Sequence, residues 1–596
     1  MRWDDICRAA IEAIAGRSRE TRGKTVTAIL LCAALAGMPV FPAAAAANAD
    51  AASASPVAGE NDLFGAYLAA RHAQQTRDFQ AAAKWFENAL RYDPDSPELI
   101  SRTFTMETTD GHFERARALA QNELKLDPGD AIAQLVLLIE ALKNGDQAQA
   151  QAHAQALPED GIHRFVTPLA QAWVRMAGHD LSGADAALQG LDKFNGFGPL
   201  KYFQLGLLYD FAGVPAKAEE NYDKAIDATG QLNWRLTDAI ANFEERQGRA
   251  EKAKALYDRF IKQSSGSELA ESVLANRGSG VPAPLIASAA DGLAEAMFDL
   301  ASVLNQAETI DLALLYSRCA LELSPHFALA QLLLSDVLSA ENKPEESLAI
   351  LAEIPPTSLY SWSARLRAAV NLDTLDRSDE AIAQLRQMAS EAPARIGADM
   401  ELGDILRSKK RFAESVEAYD EAARRAAAAG LPERWSLFYD RGVALERAGD
   451  WKRAEADLLH ALELKPDQPL VLNYLGYSWI DRGENLDRGL KMVEKAVELR
   501  PDDGYIVDSL GWAHYRLGDY TGAVQYLEKA IELVPEDPTI NDHLGDAYWQ
   551  TGRASEARYQ WRRALQFGPQ EEDIKPIEAK LDGGLKLPAP PAARGG

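Results

Sequence analysis

The stretch LVLNYLGYSWIDRGENLDRGLKMVEKAVELRP (470–501) is followed by YIVDSLGWAHYRLGDYTGAVQYLEKAIELVP (505–535) and INDHLGDAYWQTGRASEARYQWRRALQFGP (540–569), three copies of one pattern. Prolines punctuate it at Pro466, Pro501, Pro535 and Pro569, at intervals of 35, 34 and 34. A fixed period of this length marks a stacked array of supersecondary units rather than one compact core. Counting the preceding copy, a small residue recurs in the first half of each unit at Gly442, Gly476, Gly511 and Gly545. Alanines recur in the second half at Ala454, Ala523 and Ala557, and again at Ala461, Ala496, Ala530 and Ala564. Small side chains at these intervals let two helices cross closely, and the proline stops the second helix and turns the chain into the next unit. Large residues such as Leu544, Tyr548 and Trp561 fill the remaining gaps. One copy departs: after a one-residue insertion, Gly489 stands where the others carry the first alanine. Each unit therefore reads as two antiparallel helices whose apolar stripes are buried only by stacking on the neighbouring unit.

The pattern resembles the tetratricopeptide repeat, and the resemblance implies an all-α, right-handed superhelical solenoid of antiparallel helix pairs. The same register extends backwards. MELGDILRSKKRFAESVEAYDEAARR matches through Gly403, Ser415, Tyr419 and Ala422, and Pro325 and Pro393 stand two periods apart. KYFQLGLLYDFAGVPAKAEENYDKAID matches through Tyr202, Leu205, Gly206, Tyr209, Ala218, Tyr222 and Ala225. Pro94 and Pro128 stand one period apart, with Ala82, Phe86 and Ala89 in the expected places of a first unit. Residues 129–198 keep a helical, Ala/Leu-rich pattern but match the repeat poorly, as about two irregular pairs. Residues 264–292 break the period with Gly, Ser and Pro, which predicts a linker or hinge between an amino-terminal solenoid (60–263) and a carboxyl-terminal one (293–582). EEDIKPIEAKLDGG after Pro569 reads as a capping helix, and residues 583–596 as a disordered tail.

Residues 1–24 carry six basic side chains and lead into the apolar run TVTAILLCAALAGMPVF (25–41), then into small residues suited to cleavage after Ala47 or Ala49. This order reads as a signal peptide (1–47) followed by a short linker (48–59), and predicts a periplasmic or cell-envelope location. The run is marginal in length for spanning a bilayer. Cys32 follows two leucines, so a lipid anchor is not signalled. Without the leader, Cys319 is alone, and 57 basic residues face 85 acidic ones for a net charge of −28. An acidic excess of that size repels phosphate backbones, which argues against nucleic acid as a partner.

Catalytic and cofactor signatures are missing from the sequence. Neither HExxH nor paired cysteines suggest a metal, and neither GxxxxGK[ST] nor GxGxxG suggests a nucleotide. His514 and His543 read as structural or solvent-facing, and Cys319 as a small buried thiol. No cofactor is expected, and the chain reads as a non-enzyme. At about 100° per residue, a second stripe lies on the first helix of each unit beside the core stripe. It carries Tyr439, Asn473, Tyr477, Tyr505, Asp508, Trp512, Tyr515, Arg516, Asp542, Asp546 and Trp549. In tetratricopeptide repeats this stripe lines the concave surface, so these are the candidate partner-binding residues. Aromatic rings supply contact area at low entropic cost, and Asn and Asp can pair with peptide amides. Arg516 is the one cation placed there, where Asp508 and Asp546 can neutralise it.

Residues 435–570 resemble more specifically a bacterial envelope family of such repeats that includes an outer-membrane lipoprotein adaptor of a periplasmic carboxyl-terminal processing protease. That resemblance implies a scaffold presenting protein substrates to such a protease. Two alternatives stand beside it: a cell-wall enzyme with its site in 129–198, and an assembly factor of an envelope polysaccharide machine.

Overall fold

The computed structural model describes residues 63–585, apart from 231, 265–266, 278–279 and 307–308. The expected leader, the linker after it and all but the first three residues of the expected tail lie outside the described residues. The described residues form thirty α-helices and no strand. They divide into two compact units between Gln384 and Leu385. The first contains α1 (Leu63–Gln75), α2 (Phe79–Tyr92), α3 (Pro97–Asp110), α4 (Phe113–Leu126), α5 (Ala131–Lys143), α6 (Gln147–Ala156), α7 (His163–Ala177), α8 (Leu181–Gln189), α9 (Gly198–Phe211) and α10 (Pro215–Thr229). It continues with α11 (Trp234–Arg246), α12 (Ala250–Gln263), α13 (Glu268–Asn276), α14 (Ala289–Gln306), α15 (Ile310–Leu323), α16 (Ala328–Ala340), α17 (Pro344–Ala352) and α18 (Ser361–Thr374), and the division falls within α19 (Ser378–Glu391). The second contains α20 (Gly397–Ser408), α21 (Phe412–Ala429), α22 (Trp435–Arg447), α23 (Trp451–Leu464), α24 (Pro469–Arg482), α25 (Leu486–Leu499), α26 (Gly504–Arg516), α27 (Tyr520–Leu533), α28 (Pro538–Gln550), α29 (Ala554–Gln566) and α30 (Glu571–Gly583).

The helices pair as the repeat pattern requires. The recurrent alanines Ala454, Ala461, Ala496, Ala523, Ala530, Ala557 and Ala564 are completely buried, as is Trp561. The small residues of the first helices sit against the second helices. A Cβ at Gly511 would fall 2.6 Å from Leu527, and one at Gly545 would fall 2.5 Å from Trp561. Aspartates begin many of the second helices, where Asp78, Asp146, Asp180, Asp450 and Asp519 each accept a hydrogen bond from a first-turn backbone amide.

In most of the pairs the inner turn places a residue at positive φ. In the first five pairs these residues are Arg77, Gly111, Gly145, His179 and Gly213, which recur at one constant interval, the same as the common proline spacing. The period therefore runs unbroken through residues 129–198, which form two further pairs, α5 with α6 and α7 with α8. Where glycine is absent the left-handed backbone costs about 1–2 kcal/mol. Part of that is recovered on substitution, so His179→Gly should raise stability by about 1 kcal/mol, read as a higher denaturant midpoint.

In the first unit one apolar core runs from Ala66 to Ala364. The segment 264–292, where a boundary was expected, lies inside this unit and holds α13 and the start of α14. Its Gly, Ser and Pro content interrupts the period without interrupting the packing. The hairpin α14–α15 that follows packs back on α3, α5, α7 and α9, the first helices of four earlier pairs. Gly292 lies directly against the Trp173 ring, and Gln204 joins Trp173 Nε1 (2.9 Å) to the Asp299 carboxylate (2.7 Å). Every residue from Leu232 to Glu244 is buried, which takes Arg235, Asp238 and Glu244 of α11 into the interior.

Candidate binding groove

The first helices α22, α24, α26 and α28 of the second unit carry the stripe singled out from sequence. The pairing of each first helix with its second helix through Gly403, Gly442, Gly476, Gly511 and Gly545 fixes its rotation. With the core stripe turned toward the second helix, the residues three positions before and one after each glycine fall on the adjoining face.

The eleven candidates divide by what they touch. Tyr439 is half-buried, edge-on to Tyr474 at 6.1 Å, and burial pushes its hydroxyl up to about 12. Asn473 donates to Ser509 Oγ (3.2 Å), while its own amide oxygen is buried with no hydrogen-bond partner. Tyr477 is half-buried, and burial followed by Asp481 and Asp508 raises its hydroxyl to about 12. Tyr505 is 58% exposed although it begins a helix whose next residues are buried.

The other candidates engage one another or neighbouring residues. Tyr515, Trp512 and His543 form a three-ring stack, with centroids 4.6 Å apart on one side of the indole and 4.0 Å on the other. Asp508 is buried and accepts from His543 Nδ1 at 3.0 Å, and that carboxylate raises the imidazole against the opposing effect of burial. His543 is thus held in place by Asp508 and by the Trp512 ring. Arg516 is exposed and bonds the Asp481 carboxylate, with a second bond of 2.9 Å to the Asp481 carbonyl. Its partner is therefore Asp481 one unit earlier, not Asp508, which His543 engages, nor Asp546. Sequence reasoning missed Asp481, although it stands four residues after Tyr477 on the same face.

At the last pair the chain covers its own wall. Lys580 of α30 places Nζ 2.7 Å from Asp542 and 2.8 Å from Asp546. Asp546 also accepts from Trp561 Nε1 (2.8 Å), and burial, reinforced by Asp542, raises its carboxyl to about 6. Trp549 packs on Trp561 and against Gly584. The expected capping helix is present, and three of the eleven candidates lie beneath it.

Cys319 is completely buried, and burial pushes its thiol up. Among the described residues, no group of three or more His, Cys, Asp or Glu side chains is arranged to hold a metal, and no helix is long and apolar enough to cross a membrane.

The family model described as Tetratricopeptide repeat matches residues 366–432, 421–469, 439–505, 480–538 and 509–572. A TPR repeat-containing protein, PA4667, of Pseudomonas aeruginosa is 30% identical over 205 residues, which is 34% of this chain and 32% of the relative. The matched region thus spans about a third of that relative's length. Among solved structures, the anaphase-promoting complex hetero-tetramer Cut9–Hcn1 aligns over 87% of this chain and 96% of its own, at 14% identity and a TM-score of 0.38. A tetratricopeptide repeat protein from Parabacteroides merdae aligns over 43% of this chain and 97% of its own, at 15% identity and a TM-score of 0.35. Periodicity, crossing glycines and family match coincide over residues 366–572, and this part of the chain is a run of tetratricopeptide repeats, an array whose general use is to hold other proteins.

Proposed function

We propose that the second unit docks a peptide or protein segment along the inner face of α22, α24 and α26, and that the chain is an exported scaffold presenting substrates to a cell-envelope protease. The observation that carries the docking reading is the contrast between the two units. In the first, the faces of α3, α5, α7 and α9 are covered by α14 and α15. In the second, Tyr505 is largely exposed, the Asn473 amide oxygen has no internal partner, and Tyr439 and Tyr477 are half-buried. Tyrosine rings that leave part of their surface to solvent suit an extended or helical segment, since they supply contact area and exclude water. The export reading rests on the order of charge, apolar run and small residues in 1–47.

The enzyme alternative placed its site in 129–198, and that segment forms two helix pairs, α5 with α6 and α7 with α8. For the docking reading, the full chain and the variant Asn473→Ala, Tyr477→Ala, Tyr505→Ala are compared as baits for envelope proteins, with the processing protease and its substrates among the expected prey. The variant should hold its partner at least tenfold more weakly at an unchanged unfolding temperature. Equal capture by both removes these residues from the site. Export is checked by sequencing the amino terminus of the mature protein, which should begin just after Ala47 or Ala49.

A further inference from the structure

The geometry points to α30 as an occupant of the groove rather than a part of its wall, seated where a partner's lysine-bearing amphipathic helix would bind. This rests on the docking reading above and names the chemistry of the ligand at its far end. Asp542 and Asp546 stand one turn apart on α28, with side chains 19% and 6% exposed. Two carboxylates so placed repel each other and are poorly solvated, so the face is complete only when a cation lies between them. Lys580 is that cation, itself 17% exposed, and its ammonium reaches both. Around it Ile577 is buried, Leu581 and Leu585 pack on the same cluster, and Gly584 meets Trp549. The occupant therefore presents an ammonium with apolar residues three before, one after and five after it.

Beyond the Lys580 bridges and the long contacts of Lys410 with Gln570 and Glu572 (3.4 Å each), the attachment of α30 is light. Ile577 is its one fully buried residue, while most of its other side chains face solvent. Pro576 inside the helix removes a backbone hydrogen bond, and the connection to α29 passes through Gly568, at positive φ, and Pro569. A helix so held can yield its place to a competitor with the same chemistry. Charge complementarity specifies that competitor, because a helix without a cation would leave the two carboxylates facing each other.

The test uses the full chain and, as probe, a fluorescein-labelled synthetic peptide of sequence QEEDIKPIEAKLDGGL, a copy of residues 570–585. The double substitution Ile577→Asp, Lys580→Glu weakens the internal occupant. This freed chain should bind the peptide at least tenfold more tightly than the unaltered chain, at an unchanged unfolding temperature. A peptide with glutamate at the position of Lys580 should lose at least tenfold, and adding Asp542→Asn and Asp546→Asn to the freed chain should abolish binding. Equal binding by the freed and unaltered chains overturns the proposal. So does a lowered unfolding temperature, which makes α30 an integral cap, and so does dimerisation of the freed chain, which hands the site to a second copy. The docking reading fails separately: if the Asn473, Tyr477, Tyr505 variant captures partners normally while the freed chain binds the peptide, the groove reading falls and the α30 site stands alone.

Discussion

Glu295→Ala should cost the first unit about 3–5 kcal/mol, the largest effect expected from any single substitution discussed for this protein. Glu295 on α14 takes two bonds from the Arg235 guanidinium on α11, one of them 3.0 Å from Nε, and the two side chains are 4% and 7% exposed. Burial of both charges is tolerable because each cancels the other. Without Glu295 the guanidinium keeps Asp238 at 3.6 Å, already committed to Arg277 at 2.7 Å, and the face of the Phe327 ring at 5.5 Å. Water cannot substitute, because all of α11 from Trp234 to Glu244 is buried. The loss falls on the contact that seats α14 against α11, so protection of α14–α15 amides from hydrogen exchange should drop with the denaturant midpoint. The pair replaced together, as Arg235→Met with Glu295→Leu, should recover most of the loss, since the cost comes from an orphaned charge rather than from the missing attraction. A Glu295→Ala loss below about 1 kcal/mol would mean that the guanidinium finds solvent, and the inner wall of the first unit would then be open to ligands after all.

How far sequence carried the structure follows from which signal each feature leaves. The second unit was legible because a glycine against Leu527 or Trp561 and an alanine at the helix crossing have no substitutes of other size. Residues 129–198 were not legible as repeats for a local reason. Trp173 on α7 takes up the space vacated by Gly292, which lies far later in the chain. The period survives there in backbone conformation while the side chains have been rewritten to fit α14. The linker reading of 264–292 failed to anticipate that hairpin because composition reports the loss of a repeat, and a segment that docks on the inner faces of other repeats has no need of one. The shared face of the stripe follows from rotation alone, since Gly476 and Gly511 fix which side of their helices Tyr477 and Trp512 occupy. The pairing of Asp508 with His543, of Arg516 with Asp481 and of Asp542 with Lys580 was not, because each joins different helices, and spacing within one helix carries no information about it.

Gly489→Ala sets consensus against geometry, and the two predict opposite signs. The other units carry alanine at this position, as Ala454, Ala523 and Ala557, and alanine in a helix interior is favoured over glycine by about 1 kcal/mol. On that ground the substitution should stabilise the second unit. The crossing of α24 and α25 argues otherwise. A Cβ at residue 489 would lie 2.8 Å from the Gly476 carbonyl oxygen and 3.0 Å from Ile480, and a Cβ at residue 476 would lie 2.7 Å from the Gly489 carbonyl oxygen. In two pairs that carry alanine the corresponding approach is looser: a Cβ at residue 442 would lie 3.4 Å from the Ala454 carbonyl oxygen, and one at residue 545 would lie 3.2 Å from that of Ala557. Two facing glycines have let these two backbones settle several tenths of an ångström closer, and a carbonyl oxygen cannot rotate aside as a leucine tip can. The methyl must push α24 and α25 apart against the packing of Val493 and Ile480, both buried. The expected outcome is a net loss of about 1–3 kcal/mol in the urea-derived stability of the second unit, the cost of overpacking exceeding the gain in propensity. A gain instead would mean that the close crossing is permitted by the glycines without being required by the neighbouring units, and that α25 is free to shift along the solenoid.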